Sequence, residues 1–385
     1  MTTLLERLVE ELNRTIFFRE FSYSKNTFCP KPGEIKEFAD HVVWIDDLLI
    51  IYQLKERDGS ESTTSDDERN WFERKVISKA TKQVRDTLKF LKDYPRITIQ
   101  NQRGHSFDLD AATVKNVLKI VLYNPTGLLP EDCRRTSHYL SKSAGFIHLL
   151  PWSDYREVCR TLLTPSEFAE YFEFRQKLIE LMTPAQKFAG EQAALGHYLS
   201  GRPVFLASEQ FIDYFLKLKQ KRHEFDLGPL LYNLGEKIER SEGDLGCMGY
   251  YKILMEFAKL KRNELMQVKI RVDLCMESAK KGEFRPPTRL FSPSTGCGFL
   301  FFAADPARIR SRHIALKNFV YASMYEQKCR RHVGVSFSKD RDDWLIDWSL
   351  MDLEWVYDPE MERRLNECNP FTPLREEQMG RYEFD

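Results

Sequence analysis

The feature that most constrains this chain is a pair of apolar, β-branched runs, His41–Ile45 and Leu48–Leu54, separated by Asp46-Asp47. Two such runs around a two-residue polar break predict a β-hairpin. The second run is almost continuously apolar, the pattern of a strand covered on both faces. A turn centred between Asp46 and Asp47 pairs Ile45 with Leu48 and, carried outward, sets Asp40 opposite Gln53. Directly opposed residues share a face, with Cβ atoms about 4.5–5.5 Å apart. Lys55, two residues beyond Gln53, lies on that face as well. A carboxylate, an amide and an ammonium therefore converge at the open end of the hairpin. A longer turn would shift the register and dissolve this arrangement.

The flanking sequence places the hairpin in an α/β context. Leu4, Leu5, Leu8, Val9 and Leu12 recur at helical spacing. Residues 16–23 read as a strand, and the Pro- and Gly-containing stretch 26–33 as a loop. The polar stretch 58–68 also reads as a loop. A helix follows from Arg69 to about Leu91, its stripe formed by Trp71, Val76, Ala80, Val84 and Leu88. Strands are expected at Ile97–Ile99, within Val114–Tyr123 and at Phe146–Leu150. From about 153 to 282 the pattern is helical, with Thr164-Pro165 and Glu167 forming a helix start. The Pro/Ser/Gly-rich stretch 285–298 reads as a linker. Beyond it Phe299–Ala303 reads as a strand, Pro306–Gln327 as a helix, and Val333–Phe337 with Trp344–Trp348 as a hairpin. The division expected is a core over 1–150, a mainly helical region over 151–284, and a small α/β region over 299–385.

Charge and composition narrow the function classes. Lys plus Arg and Asp plus Glu each number 58 in 385 residues, so the chain is no polycation, and any nucleic-acid contact must come from patterned charge. No apolar stretch approaches the ~18 residues of a membrane span, and the first residues lack the basic-then-apolar order of a secretion signal. Eight cysteines show no CxxC pair and no zinc spacing with histidine, which suits a reducing cytoplasm. No phosphate-binding GxxxxGK[ST] loop is present. His41 and His148 lie in apolar runs and read as packed histidines. The basic runs 217–223 and 259–271 read as solvated helix faces.

The converging triple suits one chemistry in particular. Mg²⁺ prefers oxygen ligands, keeps several waters, and is commonly held by one or two carboxylates plus a substrate phosphate. Asp40 can supply the carboxylate and Gln53 a neutral oxygen, while Lys55 can stabilise charge developing on phosphate. The segment GEIKEFADHVVWIDDLLIIYQLKER (33–57) resembles the motif of PD-(D/E)XK nucleases, with Asp40 as the acidic residue and Gln53-Leu54-Lys55 in place of E-x-K. The resemblance spans roughly residues 1–180 and includes a similarity of TPSEFAEYFEFR (164–175) to a segment of bacterial proteins with this core.

The resemblance implies a restriction-endonuclease-like core, a mixed sheet flanked by helices. It implies hydrolysis of phosphodiesters in DNA, the choice between DNA and RNA staying open, using Mg²⁺ or Mn²⁺, and in bacteria a place in defence against foreign DNA. It also implies that Lys75, Lys79, Lys82 and Gln83 on the following helix approach the nucleic-acid backbone. Gln53 departs from the usual Glu or Asp and removes one negative charge. Glu10 or Glu11 of the first helix, or Glu37, is then expected to complete the metal set. A catalytically silent nuclease fold, serving as a nucleic-acid-binding or assembly subunit, is the alternative expectation. The C-terminal region is where a protein partner would dock.

Overall fold

The structure, a computed structural model, describes residues 3–24, 26–31, 33–57, 64–183, 187–220, 249–341 and 343–373. The chain divides into two units, Met1–Arg222 and His223–Asp385. Both are mixed α/β, and the helical stretch expected over 151–284 is shared between them.

The first unit opens with helix α1, Leu4–Ile16. Thr3 and Glu6 cap it reciprocally: the Thr3 hydroxyl accepts from the Glu6 N–H, and the Glu6 carboxylate accepts from the Thr3 N–H. The strand expected over 16–23 shrinks to β1, Ser22–Tyr23, because the helix continues through Ile16 and a 3₁₀ turn occupies Arg19–Phe21. Tertiary packing overrides the β-propensity of Ile16-Phe17-Phe18: Phe17 is buried edge-on against Phe168, with ring centroids 4.9 Å apart. The stretch expected to be a loop over 26–33 instead contributes β2, Thr27–Lys31, which pairs antiparallel with β3, Glu34–Glu37. A register shift between Phe28 and Lys31 accommodates Pro30, which has no N–H to donate.

The hairpin forms as read. Strands β4, His41–Ile45, and β5, Leu48–Lys55, pair from His41 with Tyr52 to Ile45 with Leu48. Asp46 turns the chain at φ 53°, a conformation that Asp tolerates. Residues 58–63 of the expected loop lie outside the described residues. From Ser65 the chain is helical to Asp93 in three parts: α-helix Ser65–Trp71, π-helix Phe72–Lys79 and α-helix Ala80–Asp93. A small hairpin follows, β6 Arg96–Gln100 with β7 Ser106–Asp110. Strand β8, Asn116–Tyr123, then runs parallel to β5, and β10, Gly145–Pro151, runs parallel to β8, with β9, His138–Ser141, at its edge. The six-stranded order is β1-β4-β5-β8-β10-β9.

Alternation along β5 divides the surroundings. Leu49 and Ile51 pack with Leu88 and Leu91 of the 80–93 helix, and the next two residues of that face are Gln53 and Lys55. On the opposite face the Tyr155 hydroxyl donates to the Asn13 side-chain oxygen of α1, and the Tyr52 hydroxyl lies 2.9 Å from it as its second hydrogen-bond neighbour. His41 is buried against Ser22 at 3.1 Å, and burial pushes its pKa down to about 3, so it is a neutral packed histidine, as read. His148 is likewise buried, beside Arg175 at 3.0 Å. Arg175 is only 1% exposed; it donates to both Glu191 oxygens and to the carbonyls of Ser137 and Leu149. It sits on the Pro165–Glu180 helix that Thr164 caps, the expected start.

In the second unit the helices Tyr250–Ala258 and Arg262–Lys281 precede a four-stranded sheet. Its strands are β11 Arg285–Ser292, β12 Cys297–Ala303, β13 Arg331–Asp340 and β14 Asp343–Asp352, in chain order. β12 and β13 are parallel, joined through the Arg312–Gln327 helix, and the outer pairs are antiparallel. The linker expected at 285–298 is therefore a hairpin. Pro286 and Pro287 fit because β11 is an edge strand, with a register shift between Arg285 and Thr288. Gly334 lets the crossover helix approach: a Cβ there would lie 2.2 Å from the Val320 side chain. Among the described residues no helix is long and apolar enough to cross a membrane. Residues 221–223 of one basic run, and 374–385 of the tail, lie outside the described residues.

Candidate active site

The ladder ends at His41–Tyr52, and the next residues outward, Asp40 and Gln53, continue the register. The Asp40 Oδ2 accepts from the Leu54 backbone N–H at 2.6 Å and from the Lys55 Nζ at 3.2 Å. Lys55 also donates to the Leu54 carbonyl at 2.8 Å. Of the three residues expected to converge, Asp40 and Lys55 touch, and Gln53 lies two residues before Lys55 on the same strand face.

Burial sets the electrostatics. Lys55 is only 8% exposed. Desolvation holds its ammonium below the ordinary lysine range; Asp40 opposes that shift, while the neighbouring charge of Lys79 adds to it. Gln53 is 1% exposed, and its Oε1 has no hydrogen-bond partner. An orphaned buried acceptor costs about 1–3 kcal/mol. Such an atom, on the face where Asp40 and Lys55 meet, is a neutral hard donor awaiting a partner.

Glu37 ends β3, three residues before Asp40. The residue as a whole is exposed, yet its carboxyl is crowded enough for desolvation to raise its pKa. Asp40 and Glu6 push it further up, and Lys55 opposes them. The α1 carboxylate whose field reaches Glu37 is therefore Glu6. Glu10 accepts from the Ser24 hydroxyl at 3.0 Å, and Glu11 lies 3.5 Å from Arg14 at the surface. The sequence marks Glu6 only as a helix-capping residue. The capping box Thr3-x-x-Glu6 was visible, but the turn of α1 that meets the sheet is set by a long-range contact. The Leu5 N–H donates to Glu56, the residue after Lys55, at 3.0 Å.

Lys75, Lys79 and Lys82 are exposed on the helix that covers this face, with Arg85 beside them. Gln83, partly buried, has an Oε1 that is itself buried without a partner. A groove lined by Thr27, Phe28, Arg96, Thr98 and Gln100 shares none of these residues.

Among the described residues no three His, Cys, Asp or Glu side chains form a group that could hold a metal ion. The oxygen donors this end of the hairpin offers are one carboxylate, Asp40, and the orphaned Gln53 amide oxygen, with the Glu37 carboxyl within the field of Asp40. This set fits a hard divalent ion that retains most of its waters, and it suits softer metals poorly. Compared with family models, with curated proteins and with solved structures, the chain matches none.

Proposed function

We propose that the first unit is a metal-dependent phosphodiesterase with a restriction-endonuclease-like core, acting on DNA. The observation that carries this reading is the meeting of Asp40 and Lys55 on the face where the Gln53 oxygen is buried and unpartnered. The mixed sheet flanked by helices agrees with the core that the sequence resemblance implies.

In this reading Asp40 and Gln53 hold Mg²⁺ or Mn²⁺, and Glu37 or Glu6 supplies further negative charge. The bound ion would polarise the phosphoryl oxygen and the attacking water. Lys55 keeps an ammonium beside the scissile phosphate, where partial burial strengthens its field. Asp40 holds that ammonium in place. Lys75, Lys79 and Lys82 contact the flanking backbone, and Gln83 orients it. The test is incubation with supercoiled plasmid, linear duplex, single-stranded DNA and RNA, each with Mg²⁺ or Mn²⁺, and the expected result is cation-dependent cleavage of DNA.

A second reading rests on the Asp40 oxygen already being engaged twice, by Lys55 and by the Leu54 N–H. Such an ion pair can brace a silent fold that binds nucleic acid or assembles with a partner. Calorimetric titration separates the two: the silent fold shows no Mg²⁺ or Mn²⁺ binding that depends on Asp40.

A further inference from the structure

Asp40 stands on a three-residue link, 38–40, between β3 and β4, which belong to different sheets. Such a link has no ladder of its own to hold it. Its polar backbone groups are nevertheless taken up from two sides. The Phe38 N–H donates to the Asn26 carbonyl at 3.0 Å, and the Ala39 N–H donates to the Asn26 side-chain oxygen at 3.3 Å. The Asn26 amide in turn donates to the Tyr23 carbonyl at 3.3 Å. From the covering helix, the Thr87 hydroxyl donates to the Phe38 carbonyl at 2.6 Å, with the Gln83 carbonyl as its second neighbour at 3.0 Å. Asn26 and Thr87 are each 1% exposed, and Phe38 and Ala39 are buried between them.

We infer that Asn26 and Thr87 are positioning residues: they form a clamp that fixes the 38–40 link and so sets the Asp40 carboxylate against Lys55 and the Leu54 N–H. Buried polar side chains are retained where every partner is specified, and here each partner is a backbone atom, of the link, of the strand end beside it or of the covering helix itself. Thr87 also lies one helical turn beyond Gln83, so the same helix that carries a proposed backbone contact fastens the proposed catalytic loop. The inference rests on the phosphodiesterase reading for its catalytic consequence but not for its geometry. A carboxylate displaced by about 1 Å costs on the order of 10²-fold in rate.

The experiment compares Thr87→Val, which keeps the shape and removes the donor, with Thr87→Ser, which restores it, and with Asn26→Ala. Two readouts are taken on the full chain. In plasmid cleavage with Mg²⁺, Thr87→Val is expected to lose about 10- to 100-fold in kcat with KM little changed. By NMR, the Leu54 amide proton, held by the short bond to Asp40, is expected to move upfield in Thr87→Val and Asn26→Ala. Thr87→Ser is expected to return both readouts towards wild type. A Leu54 amide signal unchanged in both folded variants overturns the clamp, as does failure of Thr87→Ser to restore it. If the wild-type chain cleaves nothing, the phosphodiesterase reading falls, and the Leu54 signal still decides the clamp on its own.

Discussion

The two sheets of this protein repeat one connection and end it differently. In the first unit the β4–β5 hairpin is followed by a helical crossover to β8, parallel to β5. In the second the β11–β12 hairpin is followed by the 312–327 helix and β13, parallel to β12. Both β5 and β12 are buried strands beneath a crossover helix. β12 finishes Phe301-Phe302-Ala303, with Phe302 packed on Phe319 at 5.2 Å. β5 finishes Gln53-Leu54-Lys55, with an amide and an ammonium in the position where its counterpart has only apolar groups. Strand ends of α/β sheets are where sites form, but topology alone makes none; the polar substitutions at the strand end do.

The comparison breaks most sharply at Asp40 and Lys55. Asp40→Ala and Lys55→Ala are each expected to lower cleavage on the order of 10²-fold or more while the chain remains folded. Wild-type turnover from a pure Asp40→Ala sample would remove the basis for distinguishing the two strand ends. In the second unit the expected damage is to packing alone. Gly334→Ala drives a methyl group into Val320 and Leu316 and should destabilise that unit by about 1–3 kcal/mol in denaturant unfolding, with the Leu54 amide signal unmoved.

A pH test follows from His41. Its folded pKa is depressed to about 3 by burial, whereas the unfolded chain takes up the proton near the ordinary value of 6.5. Stability is therefore complete above about 6.5 and is lost as pH falls towards about 3. At one unit below 6.5 the loss from this single group is about 1.4 kcal/mol, and His41→Phe should remove that share of the slope, while His148 of the same unit, also held well below the ordinary value by burial, keeps its own. His332, buried in the second unit and pushed down to about 3 as well, should leave its own slope in place. The smallest expected change is at Gln53. Gln53→Glu sets two carboxylates on one face, which repel until a divalent ion relieves them, so calorimetric Mn²⁺ affinity should rise a few-fold and Gln53→Leu should lower it. Equal affinity in all three proteins would remove Gln53 from the ligand set.

The hairpin was legible because its signals are local: a two-residue acidic turn, a continuous apolar run, and polar residues placed by simple alternation. The same logic set Asp40, Gln53 and Lys55 on one face without any knowledge of the rest. What was not legible depends on partners far along the chain. Phe17 reads as strand until Phe168 covers it. Pro286 and Pro287 read as linker until their strand is known to be an edge. Glu6 looks like a capping residue and nothing more, because only the contact of Leu5 with Glu56 shows which turn of α1 meets the site. Asn26 and Thr87 carry no motif at all; their hydrogen bonds are to backbone, which any sequence supplies.

The π-helical stretch Phe72–Lys79 works like a phase adjuster in a gear train. Along this helix Phe72, Val76, Ala80 and Val84 are buried at strict four-residue steps. An ordinary α-helix advances by ~40° beyond a full circle at each such step, so a stripe of this spacing would wind away from a flat sheet within a few turns. The wider π turn takes up that excess locally. It lets one helix keep Glu68 on Arg57, close behind Lys55, and still present Thr87 to Phe38 more than four turns later. One end of the covering helix is thereby set against the residues that follow β5 and the other against the link that precedes β4, and deleting a single residue from 72–79 would put them out of step with each other.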